Sequence, residues 1–222
     1  TQPPLEQFFS ADMRPIEICP AVMENAALFR RTHIELCGEP MTEEAIAREL
    51  ASYEQVLCIV NVKKTAQRLF DLLAEEDGVY HLSTNLYPVH REKVLEEIRK
   101  RLREGKTCRV ISTSLVEAGV DLDFPAVYRE IHGLDSIVQA AGRCNREGLI
   151  KTGGTVKVFS LEKITSSAQR PAGLTKIVAR KYGADLTSPV AITRYFRELY
   201  DTSGDAWLDK KGIMKKTAEY AF

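Results

Sequence analysis

An α/β fold, with a mostly parallel sheet, helices on both of its faces and a small helical appendage at the carboxyl end, is what this sequence predicts. Three observations point there. From about Phe29 to Leu161, short β-branched runs alternate with stretches of helical periodicity. The stretches between runs carry apolar residues three or four apart, and small polar residues fall just after the apolar runs. Strand, helix, strand in one sheet implies right-handed crossovers and parallel pairing.

In chain order, residues 1–27, which include Pro3, Pro4, Pro15 and Pro20, read as a connector arriving from an upstream domain. Residues 28–162 form the predicted domain. Its strands are Val56–Val60, a shorter one at Val79–Leu82, Cys108–Ser112, Ala126–Ile131 and Thr155–Phe159. Ala66, Leu69, Phe70 and Leu73 mark one helix, and Val94, Ile98 and Leu102 mark another that Gly105 stops. Residues 163–222 read as an accessory segment, a Ser/Gly/Pro-containing loop followed by a helix opened by Ser188-Pro189. In that helix Ile192, Tyr195, Phe196, Leu199 and Tyr200 make a bulky stripe that needs a protein surface.

A chain of 222 residues is long enough for one such domain plus an appendage and too short for two. Thirty-one basic and 31 acidic residues give zero net charge, which excludes a global basic field, so any nucleic-acid surface must be local. The five cysteines are widely spaced, lack a C-x-x-C pair and read as reduced core residues of a cytoplasmic protein. His33 and Cys37 fit one local turn, but no second pair lies nearby, so no metal site is expected. No apolar run approaches membrane-spanning length, and Thr1-Gln2-Pro3-Pro4 does not open a signal peptide, so no membrane partner is expected.

The stretch Asp135–Gly148 carries the most chemistry. Read as one helix, capped by Asp135 or Ser136 and ended by Gly148, it places Gln139, Arg143 and Arg146 on one stripe and Ile137, Ala141 and Cys144 on the other. Two planar guanidinium forks aimed at one place suit a polyanion such as a nucleotide γ-phosphate. The other reading is a surface helix with two solvated arginines. Residues 112–125 (S-T-S-L-V-E-A-G-V-D-L-D-F-P) follow a buried strand and combine hydroxyls, Gly119 and two alternate carboxylates, Asp121 and Asp123. Hydroxyls and free N–H groups there could hold a phosphate, with Gly119 permitting close approach. Asp121 and Asp123 read equally well as turn residues before Pro125.

Parallel sheets gather ligands at the carboxyl ends of their strands, and Asn61, Ser83, Thr84, Thr113 and Ser114 lie just past them. With Lys63, His90 and Arg91 nearby, these corners suit a nucleic-acid backbone. Asn61 also reads as a helix cap, and the charges from Arg91 to Lys106 as a solvated helix face. Gly105-Lys106-Thr107 is not a phosphate loop, since the required first glycine is Lys100 and the segment runs helix to strand.

The string Q-x-x-G-R-x-x-R is similar to the sixth motif of superfamily 2 helicases. Together, V-L-C-I-V-N-V-K-K-T-A-Q, H-L-S-T-N-L-Y-P-V-H-R, the 109–125 segment and L-D-S-I-V-Q-A-A-G-R-C-N-R-E-G resemble the CRISPR-associated helicase-nuclease of type I interference systems. The similarity covers roughly residues 28–162 strongly and the tail weakly. It implies a second RecA-like domain of an ATP-driven antiviral motor that pulls single-stranded DNA in the 3′-to-5′ direction. The resemblance further implies that such a motor would be recruited by an RNA-guided surveillance complex and would feed a metal-dependent HD nuclease domain. Arg143 and Arg146 would then be fingers on the γ-phosphate with Gln139 beside them, Gly119 and Asp121 would meet the nucleotide, and Asn61, Ser83, Thr84, Thr113 and Ser114 would line the strand's track.

The sequence has no Walker A, no Walker B acid and no HD motif. The resemblance therefore implies an ATP–Mg²⁺ site shared with an upstream RecA-like domain, a nuclease metal held elsewhere, and no ATP hydrolysis by this chain alone. Alternatives are a non-catalytic module that binds nucleic acid or protein, and part of another superfamily 2 translocase, such as an RNA helicase or a restriction motor.

Overall fold

The computed structural model describes residues 18–19, 21–28, 30–117, 119–203 and 211–218. Six strands, β1 (Thr32–Leu36), β2 (Gln55–Ile59), β3 (Val79–Leu82), β4 (Cys108–Ser112), β5 (Ala126–Glu130) and β6 (Gly154–Phe159), form one sheet in the order β1-β6-β5-β2-β4-β3. Every pairing is parallel, as the alternation predicts. The helices are α1 (Val22–Leu28), α2 (Glu43–Ala51), α3 (Lys63–Leu72), α4 (Pro88–Arg103), α5 (Leu134–Ala141), α6 (Ser166–Tyr182), α7 (Pro189–Ser203) and α8 (Ile213–Ala218).

Alternate residues of β2 go to opposite faces, both covered, which is why its sequence after Gln55 is apolar. Val56 and Cys58 join Ile46 and Leu50 of α2 and Ala66 and Leu69 of α3 on one side. Leu57 and Ile59 join Leu95 and Ile98 of α4, Ile137 of α5 and Val178 of α6 on the other. Helices α6 and α7 thus share the sheet's core. Of the expected stripe on α7, Tyr195 is buried and Ile192, Phe196 and Leu199 pack against the same cluster. Ser188 caps α7 by accepting the N–H of Ala191 at 3.3 Å.

Outside the 135–148 segment, four elements depart from the expectation. β1 reads poorly because it is an edge strand of alternating exposure, paired only with β6. Its residue His33 lies within the strand, not on a turn shared with Cys37, and its Nε2 is 2.8 Å from the Thr152 carbonyl oxygen. α2 starts at Thr42, whose hydroxyl accepts the N–H of Ala45 at 3.2 Å. α6 occupies the segment expected to be a loop and contains Pro171 and Gly173, the breakers that hide it. Burial of Ala168, Ala172, Leu174 and Val178 outweighs the lost backbone bond. α1 occupies the end of the expected connector, whose residues 1–17 and 20 lie outside the described residues.

Candidate functional site

Two edges of the sheet carry the polar residues singled out by sequence. At the carboxyl edge, Ile59 of β2 is in register with Ser112 of β4, which is in register with Leu82 of β3. The residues that follow, Asn61, Thr113 with Ser114, and Ser83 with Thr84, therefore leave three adjacent strands side by side, across about 10 Å at ordinary strand spacing. Thr84, Ser114 and Lys63 are exposed there, whereas Ser83 and Thr113 are buried. Lys63 Nζ donates to Asn85 Oδ1 at 2.9 Å, which links the β2 corner to the β3 corner. His90 and Arg91 sit in the first turn of α4, with the His90 ring 5.5 Å from that of Tyr87.

Asn61 is not a helix cap. Val62 takes that position for α3, and no side chain caps it. The Asn61 side chain instead accepts from Arg129 Nη1 at 2.8 Å and donates to the Ile131 carbonyl at 3.0 Å, while its backbone N–H donates to Glu130 Oε2 at 2.7 Å. Sequence reasoning missed this cluster. Arg129 and Glu130 are each 2% exposed, and Arg129 Nε lies 2.9 Å from Glu117 Oε1. Burial raises the Glu117 and Glu130 carboxyls above the usual carboxylate range and lowers the Arg129 guanidinium. Two adjacent charges inside an otherwise apolar strand were the available signal.

At the other edge, the expected single helix over 135–148 does not form. α5 begins at Leu134 after Gly133 and ends at Ala141, with Gly142 as its cap, so neither Asp135 nor Ser136 caps it and Gly148 does not end it. The chain beyond is held by competing bonds. Phe124 N–H donates to the Arg143 carbonyl and Asn145 N–H returns to the Phe124 carbonyl, each at 2.9 Å. Asn145 adopts φ 47° and its Nδ2 donates to the Arg31 and Ile150 carbonyls at 3.0 and 2.9 Å. Gly154 is needed opposite, because a Cβ there would meet Cys144 Sγ at 2.5 Å. The apolar stripe survives the change, with Ile137, Ala141 and Cys144 all buried; burial pushes the Cys144 thiol up to about 12.

The polar trio is consequently divided. Gln139 is exposed on the last turn of α5. Arg143 is half-buried, with Nε donating to the Val116 carbonyl at 2.9 Å and Nη2 to the Glu117 carbonyl at 2.8 Å. Burial lowers its guanidinium from the ordinary value. Arg146 reaches the carboxylate of Asp121 across an exposed ion pair. Asp123 behaves as an anchor, accepting the backbone N–H of Arg146 at 2.7 Å and of Glu147 at 3.1 Å. Gly119 is exposed at φ 72°, a conformation that side chains resist.

The 113–123 loop runs from the carboxyl edge to this arginine edge. Its donors and guanidinium groups can bind anions at both ends. Among the described residues, no group of three His, Cys, Asp or Glu side chains could hold a metal ion, and no helix is long and apolar enough to cross a membrane.

Residues 52–149 match the family described as CRISPR-associated nuclease/helicase Cas3, C-terminal. The chain is 34% identical over 95 residues to the CRISPR-associated nuclease/helicase Cas3 of Methanothermobacter thermautotrophicus, a match covering 43% of this chain and 11% of that protein. It is 57% identical over 53 residues to the Cas3 of Haloferax volcanii, covering 23% and 6%. In three dimensions it is similar to the crystal structure of T. fusca Cas3-AMPPNP, with a TM-score of 0.62, 20% identity, and coverage of 86% of this chain and 26% of that one. That likeness speaks for the fold. The matches span about a quarter of the solved chain and a smaller share of the curated relatives. Ordered motifs and family match agree that residues 52–149 are similar to the C-terminal region of the Cas3 nuclease/helicase family, and the sheet agrees with the fold of a solved member.

Proposed function

We propose that this chain is the second motor domain of an ATP-dependent 3′-to-5′ single-strand DNA translocase that feeds target DNA to an HD nuclease in CRISPR interference. One observation carries the reading: a single loop, residues 113–123, joins three aligned strand ends that suit a phosphate backbone to a pair of arginines that suits a nucleotide.

At the carboxyl edge, the exposed hydroxyls of Thr84 and Ser114 contact sugar and phosphate without reading bases, the buried Ser83 and Thr113 and the inward-bonded Asn61 shape the track behind them, and Lys63, His90 and Arg91 add local positive charge. At the arginine edge, Arg143 and Arg146 face the γ-phosphate of an ATP held mainly by an upstream RecA-like domain, with Gln139, Gly119 and Asp121 beside it. The exposed Asp121–Arg146 pair is weak enough to open when a phosphate carrying more charge arrives. Arg143 keeps three of its five N–H donors beyond the two that hold backbone. Mg²⁺ neutralises the phosphates when bound, and its ligands belong to the upstream domain. The same reading makes an RNA-guided surveillance complex the partner that delivers DNA, with the cytoplasm as the place of action; the family's CRISPR-associated name supports it.

The test uses the intact motor that contains this segment. Replacing Thr84 and Ser114 together by Ala is expected to weaken single-strand binding several-fold and to leave ATP turnover without DNA unchanged. Unaltered DNA affinity would remove the carboxyl edge from the track. The isolated chain is expected to show no ATP turnover with or without DNA, and its single-strand binding is expected to be weak and lost at moderate salt. Tight, salt-resistant binding would favour an autonomous binding module instead.

A further inference from the structure

We infer that Arg129 is a positioning residue that couples the nucleotide edge of this domain to its DNA edge. The inference rests on the functional reading above. An unbroken series of short polar contacts runs between the two edges. Arg143 Nη2 donates to the Glu117 carbonyl at 2.8 Å, and the Glu117 carboxylate pairs with Arg129 Nε at 2.9 Å. Arg129 Nη1 then donates to Asn61 Oδ1 at 2.8 Å and to the Glu130 carbonyl at 2.7 Å. Asn61 N–H closes the cluster on Glu130 Oε2 at 2.7 Å.

Two features separate this cluster from a packing device. The first is location. Glu117 belongs to the loop that joins the edges, and Asn61 begins the strand-end row, so Arg129 touches both from the central strand β5. The second is chemistry. Arg129 is 2% exposed, in a strand whose five residues are all buried, and an apolar pair would fill such a site with less desolvation. A planar guanidinium that holds Asn61 on Nη1 by a hydrogen bond and faces Glu117 on Nε as an ion pair, without hydrogen-bond geometry, cannot follow one partner without turning toward or away from the other. When Arg143 shifts onto a phosphate, the Glu117 carbonyl it holds shifts with it, and the fork passes the change to Asn61.

The test measures ATP turnover of the intact motor at saturating ATP, with and without saturating single-stranded DNA. The double replacement of Glu117 by Gln and Arg129 by Gln removes both charges together and keeps hydrogen-bonding groups of similar reach. DNA stimulation, the ratio of the two rates, is expected to fall about ten-fold, as for a typical coupling between sites, while basal turnover and the KM for ATP stay put. Arg129→Lys is the second variant. It preserves the buried charge but not the fork, and is expected to lose stimulation while the melting temperature holds closer to that of the parent. Stimulation equal to the parent's in either folded variant overturns the inference. If both variants fail to fold, Arg129 is a structural residue and the coupling role is overturned as well. A parent motor that DNA does not stimulate at all would instead sink the functional reading on which the inference rests.

Discussion

Two ion pairs are anchored on one loop, through Glu117 and Asp121, and they are built for opposite purposes. Arg129 and Glu117 are sealed, with side chains 2% and 9% exposed, and Arg129 Nη1 donates to Asn61 and to the Glu130 carbonyl. Arg146 and Asp121 are open, at 42% and 75%. Desolvation makes a buried charge costly to leave unpaired, whereas water screens an exposed one. The sealed pair therefore fixes geometry, and the open pair is exchangeable. An arginine held by a solvent-screened carboxylate can transfer to a phosphate at little cost, and one held in the core cannot.

The largest effect that would sharpen this contrast is on stability. Arg129→Ala leaves Glu117 and Glu130 buried without their cation and is expected to cost about 3–5 kcal/mol. Chemical denaturation measures it, and a loss under about 1 kcal/mol would mean that water reaches the cluster. Arg143→Ala comes next. It strips the Val116 and Glu117 carbonyls of their donors, at an expected cost of about 1–3 kcal/mol, and Lys should not restore turnover because a point charge cannot reproduce the fork.

A smaller effect tests a third pair of groups. The Tyr128 hydroxyl donates to Glu49 Oε2 at 2.6 Å, and this bond, with Lys157 assisting, holds the Glu49 carboxyl below its ordinary value of 4.5. A lowered carboxylate contributes stability that is present above pH 4.5 and is lost as the pH falls through the lowered value. Tyr128→Phe should therefore flatten the acid-side decline below that pH, by less than about 1 kcal/mol because water screens Glu49. An unchanged slope in acid denaturation would assign the shift to Lys157. The smallest effect belongs to Asp121→Asn, which should alter stability by no more than about 0.5 kcal/mol, since the pair is open. A larger loss would place Arg146 with the fixed groups rather than the exchangeable ones.

The contrast also shows what the sequence could and could not reveal. The sheet was legible because buried parallel strands are largely apolar on both faces, as Val56, Leu57, Cys58 and Ile59 of β2 are. The row of strand ends was legible too, since Asn61, Ser83 and Thr113 each follow such a run and register then aligns them. Periodicity failed at α6, where Pro171 and Gly173 interrupt a helix that tertiary packing holds. It failed again past Ala141. There a helical spacing of Gln139, Arg143 and Arg146 is present in the string, but pairing with Phe124 and the left-handed Asn145 end the helix first. Of the Arg129 cluster only the adjacent charges Arg129 and Glu130 stood out in the string, because its four members come from three separated segments that only the sheet brings together.

Arg146→Ala in the intact motor, with ATP turnover and single-strand affinity measured on the same preparation, tests the division of the domain into two edges most directly. Turnover is expected to fall on the order of 10³-fold, the usual effect of removing an arginine finger, while DNA affinity stays within about two-fold. Lost DNA affinity with turnover intact would contradict the account, because it would place the nucleic acid, not the nucleotide, at the arginine edge.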